Sequence, residues 1–238
     1  MFKKVKNINV NYCQYGDGKD IVLLHGWGQN IEMMEPIGRF LKDNYRVTII
    51  DLPGFGLSEK PDYAYTVYDY VFLLEELFKE LDIEKPSLIG HSFGGRLSII
   101  YASKNDVEKL ILFGSPCVRH ERKSVTQTIL KKLKKIKILA PISNLAKKFI
   151  GSTDYKNADG VMREILVKTV NEDLSECAKK INCPTLLIWG ENDEAVPVSE
   201  ARELESLLKD GALIVLPGTH YCYLENLQRV ENILDNFL

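Results

Sequence analysis

The sequence predicts an α/β protein: a mostly parallel, doubly wound sheet with a helical cap inserted between two strands. Three observations carry this. Short, nearly continuous apolar runs recur along the chain, as in Asp20-Ile21-Val22-Leu23-Leu24. Strands of that kind are covered on both faces, the condition of a parallel sheet. Amphipathic helical patterns alternate with them, which winds helices onto both sides. The alternation breaks between Ser115 and about Lys180, where the pattern is helical, without a convincing strand, and punctuated by Pro141, Gly151 and Gly160. Such an insertion is expected as a lid over the strand ends. The domains are then a core of residues 1–115 and 181–238 and a cap of 116–180.

In chain order, Lys3–Tyr15 is expected to supply one or two antiparallel edge strands. Asp20–Leu24 and Tyr45–Ile50 are buried strands. A helix spans Thr66–Leu81, opened by the capping-box-like Thr66-x-x-Asp69. Pro86–Ile89 is a strand, and Arg96–Ala102 opens the helix after it. Val107–Phe113, Thr185–Trp189 and Ala212–Leu216 are strands; Ser199–Leu208 and Tyr223–Phe237 are helices.

Composition narrows the functional classes. With 238 residues and 45% hydrophobic content, the chain is long enough for one domain with a sizeable core. A net charge of −2 gives no reason to expect nucleic acid as partner. No apolar run approaches the roughly 20 residues of a membrane span, and the basic N-terminus lacks the apolar stretch of a secretory signal. Five scattered cysteines without CxxC spacing fit neither a disulfide framework nor a zinc site. Reduced thiols in the cytoplasm are the plain expectation.

Chemistry concentrates at Gly90-His91-Ser92-Phe93-Gly94, between a strand and a helix. A serine in that tight turn projects its Oγ clear of the sheet, and its neighbours two residues away must be small. A serine hydroxyl needs a base, and the base needs an acid to hold its tautomer. Of the four histidines, His220 lies on a loop at the carboxyl end of a strand, downstream of the serine and followed by a helix; ligands bind at that edge of open α/β sheets. His91 is expected to point away across the turn. The loop Trp189–Pro197 supplies three candidate acids, Glu191, Asp193 and Glu194. The oxyanion needs preorganised donors, expected from the backbone N–H of Phe93 and that of Trp27 in His25-Gly26-Trp27-Gly28. The Trp27 side chain either lines an acyl pocket or packs under the cap. Asp51 is read as shaping the Asp51–Ser58 turn, Cys222 as a small buried hydrophobe, and Trp189 as core.

Four motifs, in order and spacing, resemble the α/β-hydrolase superfamily: His25–Gly28, Asp51-Leu52-Pro53-Gly54-Phe55-Gly56-Leu57-Ser58, Gly90–Gly95, and the 193 and 220 loops. The resemblance implies Asp193 as the acid, because Gly190-x-x-Asp193-x-x-x-Pro197 is the form this loop usually takes. The triad order is then Ser92, Asp193, His220. Leu24–Asn30, Asp51–Gly56 and Ser115-Pro116-Cys117 resemble the carboxylesterases that demethylate pimeloyl-carrier-protein methyl ester in biotin synthesis, although those usually carry Trp where His91 stands. This implies hydrolysis of an ester or thioester through an acyl-enzyme, with no metal or organic cofactor. Ser92-Phe93-Gly94-Gly95-Arg96 also resembles the pyruvate-eliminating synthase of the menaquinone pathway, where such an arginine helps hold an anionic substrate; Arg96 is a substrate-binding candidate on that ground. A carbon–carbon bond hydrolase and a small-molecule receptor of this fold are further alternatives. Serine at position 92 argues against dehalogenase and epoxide-hydrolase chemistry, which uses Asp there.

Residues 119–150 hold ten Lys or Arg against Glu121 alone, with Ile129, Leu130, Leu133, Ile136 and Ala140 on one helical face. Three readings follow: a solvated basic face, attraction to anionic lipid, or docking of an acidic acyl carrier protein.

Overall fold

The computed structural model describes residues 1–119 and 160–238. The helical face of residues 129–140, His120 and all of the basic stretch 119–150 except Arg119 lie outside the described residues.

Eight strands form one sheet in the order β1-β2-β4-β3-β5-β6-β7-β8. They are β1 (Phe2–Val5), β2 (Ile8–Tyr15), β3 (Lys19–Leu24), β4 (Tyr45–Ile50), β5 (Ser87–His91), β6 (Leu110–Phe113), β7 (Thr185–Gly190) and β8 (Gly211–Leu216). The first two are antiparallel edge strands, as expected; β4 through β8 with β3 run parallel. Leu24 pairs with both Ile50 and Gly90, and Phe113 with both His91 and Ile188. That register aligns the carboxyl ends of five strands along one rim.

Alternation along the strands builds two cores. Val22, Leu24, Leu88, Leu110, Leu187 and Trp189 face one side. There they meet α2 (Val67–Glu80), α3 (Phe93–Ala102) and α6 (Val198–Leu207). Ile21, Leu23, Ile89, Ile111 and Ile188 face the other side, against α1 (Ile31–Leu41), α7 (Cys222–Glu225) and α8 (Leu227–Phe237). Both faces are covered, which is why the strands read as apolar without interruption. Between β6 and β7 the described residues form α4 (Gly160–Val170) and α5 (Ser175–Ala178).

Three elements differ from the sequence reading. Helix α1 carries Pro36 and Gly38, which disguise its period; a Cβ on Gly38 would strike Tyr15 Oη and the Ile49 side chain, so close packing against the sheet demands that glycine. The single C-terminal helix is two, broken at Asn226 (φ −123°, ψ 39°). The strand expected from Val107 begins at Leu110. The capping box holds: Asp69 N–H donates to Thr66 Oγ1, and Thr66 N–H to Asp69 Oδ2. Among the described residues no helix is long and apolar enough to cross a membrane.

Candidate active site

Ser92 sits between β5 and α3 with φ 49° and ψ −109°, a left-handed conformation that a non-glycine residue seldom adopts. Such a residue costs on the order of 1–3 kcal/mol and persists only where its surroundings over-determine it. Here they do. Ser92 N–H donates to Phe113 O, and Gly94 N–H to His25 O. A Cβ on Gly90 would press on Gly95, one on Gly94 would strike the Leu24 and His25 carbonyls, and one on Gly95 would run into Ser115. Gly95 is thus a third required glycine, outside the five-residue motif.

The rim brings Asp193 and His220 together. His220 Nδ1 lies 2.8 Å from Asp193 Oδ2. The carboxylate is wholly enclosed and the imidazole is 16% exposed. Asp193 Oδ1 accepts the N–H groups of Ala195 (2.9 Å) and Val196 (2.8 Å). Trp189 Nε1 donates to Val196 O, pinning the same loop to the core. One side chain therefore both faces the imidazole and holds its own loop. Glu191 and Glu194, the other two carboxylates, are exposed. Asn192 N–H donates to Gly218 O, and a Cβ on Gly190 would strike the Thr219 carbonyl, so the acid and base loops lie side by side. Gly114 (φ 50°) makes room for the pair; a Cβ there would come within 2.9 Å of His220 Nδ1.

His220 Nε2 makes no hydrogen bond among the described residues. With Nδ1 turned to the carboxylate, Nε2 is the nitrogen left to accept a proton. The ring packs 4.8 Å from His91, the residue preceding Ser92. His25 is fully buried and structural: its Nε2 accepts the Leu52 N–H, so Nδ1 carries the proton and donates to Gly26 O. Burial pushes its pKa down to about 4. Burial also raises the Cys222 thiol to about 12, which keeps it a protonated, buried hydrophobe. Asp51 accepts the N–H groups of Ile31 and Leu57, the turn-shaping part expected of it.

The backbone N–H groups of Trp27 and Phe93 have no acceptor among the described residues. The Trp27 ring is half-buried and meets Phe55 (4.8 Å) and Phe93 (5.3 Å) edge to face; Phe93 also meets Tyr70 (5.2 Å). These rings make an apolar wall beside the serine.

Arg96 stands elsewhere than the substrate-binding expectation requires. It is 5% exposed, and its guanidinium donates to Pro116 O (3.1 Å), Thr169 O (2.8 Å) and Glu172 O (2.7 Å). It clamps the carboxyl end of α4 to α3. Its Nε is enclosed without a partner, so no donor is presented openly to an anionic substrate. Neither this clamp nor the need for glycine at 95 and 114 follows from the local sequence; all depend on contacts between distant segments.

A family described as "alpha/beta hydrolase fold" matches residues 20–135. Over 260 residues, 100% of this chain and 90% of the relative, the sequence is 25% identical to the 2-hydroxy-6-oxo-6-(2'-aminophenyl)hexa-2,4-dienoic acid hydrolase of Metapseudomonas resinovorans. It is 33% identical over 102 residues to the pimeloyl-[acyl-carrier protein] methyl ester esterase of Legionella pneumophila, covering 43% of this chain and 38% of that one. The enol-lactonase of Burkholderia xenovorans LB400 superposes with a TM-score of 0.80 at 20% identity, over 100% of this chain and 99% of that one. Sheet order and serine turn agree with the family match over residues 20–135, and the chain has the α/β-hydrolase fold.

Proposed function

We propose that the protein is a serine hydrolase that cleaves carboxylic esters or thioesters through an acyl-enzyme. The observation that carries the reading is the 2.8 Å Asp193–His220 pair, packed against the residue next to a strained, half-buried Ser92. Ser92 Oγ attacks the carbonyl while His220 Nε2 takes its proton. Asp193 holds the ring in the required tautomer and stabilises the imidazolium. The Trp27 and Phe93 N–H groups receive the developing oxyanion. As the tetrahedral adduct collapses, the leaving alcohol or thiol takes the proton from His220. Water then attacks the acyl-enzyme, gives a proton to His220, and the acid departs as Oγ is reprotonated. No metal or organic cofactor takes part. The aromatic wall of Trp27, Phe55 and Phe93 suits an apolar acyl chain.

A second reading, hydrolysis of a carbon–carbon bond, has the full-length similarity to a dienoic acid hydrolase behind it. The pyruvate-eliminating alternative loses its support from Arg96, which is occupied by carbonyls. One screen separates the possibilities: p-nitrophenyl esters of rising acyl length beside a 2-hydroxy-6-oxo-hexa-2,4-dienoic acid, with wild type and Ser92→Ala. Ester turnover lost in the variant is the expected result. Turnover of the dienoic acid alone would favour the second reading, and ester turnover unaffected by Ser92→Ala would refute the first.

A further inference from the structure

His91 precedes Ser92 yet has no part in the chemistry above. Its ring is fully buried. Nε2 lies 3.1 Å from the carbonyl oxygen of His220, and Nδ1 lies 3.1 Å from Gln29 Oε1. Gln29 Oε1 in turn accepts the N–H of Gly26 at 2.9 Å, next to Trp27. The ring also packs against Tyr221 (5.5 Å) and Tyr223 (4.9 Å). One imidazole therefore spans the loop carrying the Trp27 N–H and the loop carrying His220.

Burial, with the neighbouring His220, pushes this ring down to about 3, so it holds a single proton. The His220 carbonyl can only accept, which puts that proton on Nε2. Nδ1 then needs a donor, which the Gln29 amide supplies by turning its NH2 to the ring and giving up its bond with the Gly26 N–H. On the reading of Ser92 and His220 given above, we infer that His91 is a positioning residue for the general base. Its Nε2–H fixes the backbone of residue 220, and so the approach of that imidazole to Ser92, while Gln29 ties the same ring to the oxyanion loop. The sequence leads one to expect this side chain to point away across the turn; its Nε2 points onto the base loop.

The test compares His91→Leu with His91→Gln, whose amide nitrogen lies about as far along the side chain as imidazole Nε2. Three quantities are read: the rate at which a fluorophosphonate probe labels Ser92, kcat and KM for p-nitrophenyl butyrate, and Tm. Losing one orienting hydrogen bond should slow labelling and kcat about tenfold in His91→Leu with KM within about twofold. His91→Gln should recover to within about threefold of wild type while its Tm falls as far as that of the leucine variant. A leucine variant as fast as wild type, or a glutamine variant as slow as the leucine one, overturns the inference and makes the ring mere packing. Gln29→Leu gives an independent arm should His91→Leu not fold: labelling slowed about threefold supports the link, and an unchanged rate overturns it. Wild type that the probe leaves unlabelled at Ser92 would instead sink the hydrolase reading itself, and the inference with it.

Discussion

Asp193→Asn isolates the orienting carboxylate. Oδ1 of Asp193 accepts two backbone N–H groups and Oδ2 faces His220 Nδ1, in a fully enclosed position. Asparagine has the same shape. Its carbonyl oxygen must stay with Ala195 and Val196, because the opposite orientation would turn an NH2 toward two N–H donors. The NH2 then faces His220 Nδ1, which has to accept. The ring shifts to the Nε2–H tautomer, and the nitrogen left to serve Ser92 has lost its lone pair. A tautomer error of this kind costs about 10⁴-fold in kcat, or about 5.5 kcal/mol of barrier. Because the hydrogen bonds are conserved in number, unfolding free energy should move by less than about 1 kcal/mol. The assay is the release of p-nitrophenolate from p-nitrophenyl butyrate, steady-state and in the first turnover, beside urea unfolding. Exposed Glu191→Gln and Glu194→Gln should stay within about twofold of wild type, as surface changes away from such networks usually do. An Asp193→Asn protein of normal stability working within tenfold of wild type would refute the assignment.

Ser92→Gly should abolish turnover yet raise unfolding free energy by about 1 kcal/mol, because glycine adopts φ 49° without strain; urea unfolding that shows a loss instead would mean the elbow is unstrained. His25 and His91, at about 4 and about 3 when folded, are both below the 6.5 of a free histidine, so the unfolded chain binds protons first. Their contribution is intact above pH 6.5 and drains as pH falls toward 4; at pH 5 the two together should cost about 4 kcal/mol, and equal urea midpoints at pH 7 and pH 5 would contradict it. Arg96→Met should strip the Pro116, Thr169 and Glu172 carbonyls of their donor, costing about 2–4 kcal/mol. Hydrogen exchange in 160–170 should quicken while KM for p-nitrophenyl butyrate holds; a raised KM with unchanged exchange would return Arg96 to the substrate. If docking of an acidic carrier protein is the right one of the three readings of the basic stretch, replacing Lys131, Lys132, Lys134 and Lys135 with Glu should raise KM for an acyl-carrier-protein ester alone, and an equal response of p-nitrophenyl butyrate would remove the electrostatic explanation.

What the sequence made legible followed local rules. Strands buried on both faces announce themselves by composition, and Gly90-x-Ser92-x-Gly94 by the contacts its glycines must make. The candidate base was readable because it follows a strand, whereas the choice of Asp193 among three carboxylates rested on the resemblance. What stayed hidden is non-local. Nothing near Arg96 in the chain says that its partners lie at 116, 169 and 172. Gly95 and Gly114 are required by Ser115 and by the His220 ring, residues that the sheet register delivers to them. Helix α1 was missed because the residue that allows its closest packing, Gly38, is also one that weakens a helical pattern.

Three described histidines lie close to one another on the rim, and environment alone gives them different parts. His25 has both nitrogens committed, one to the Gly26 carbonyl and one to the Leu52 N–H, within a fully buried setting that denies it charge. His91 is equally buried, both its nitrogens lie within 3.1 Å of protein partners, and it borders His220, whose charging would oppose its own. A general base must gain a proton and hold it for the lifetime of an intermediate, so either ring would meet a desolvation penalty at the moment it was needed. His220 differs in three respects: a carboxylate at Nδ1, an uncommitted Nε2, and a ring edge open to solvent. These are the features that the proposed general base requires. The two silent histidines are what make that possible, since His25 ties the Trp27 loop to the turn at Leu52 and His91 spans from that loop to the backbone of residue 220. Placing a neutral imidazole beside the base, rather than a Lys or Arg, holds the loop without adding a positive charge that would compete with the one the reaction creates.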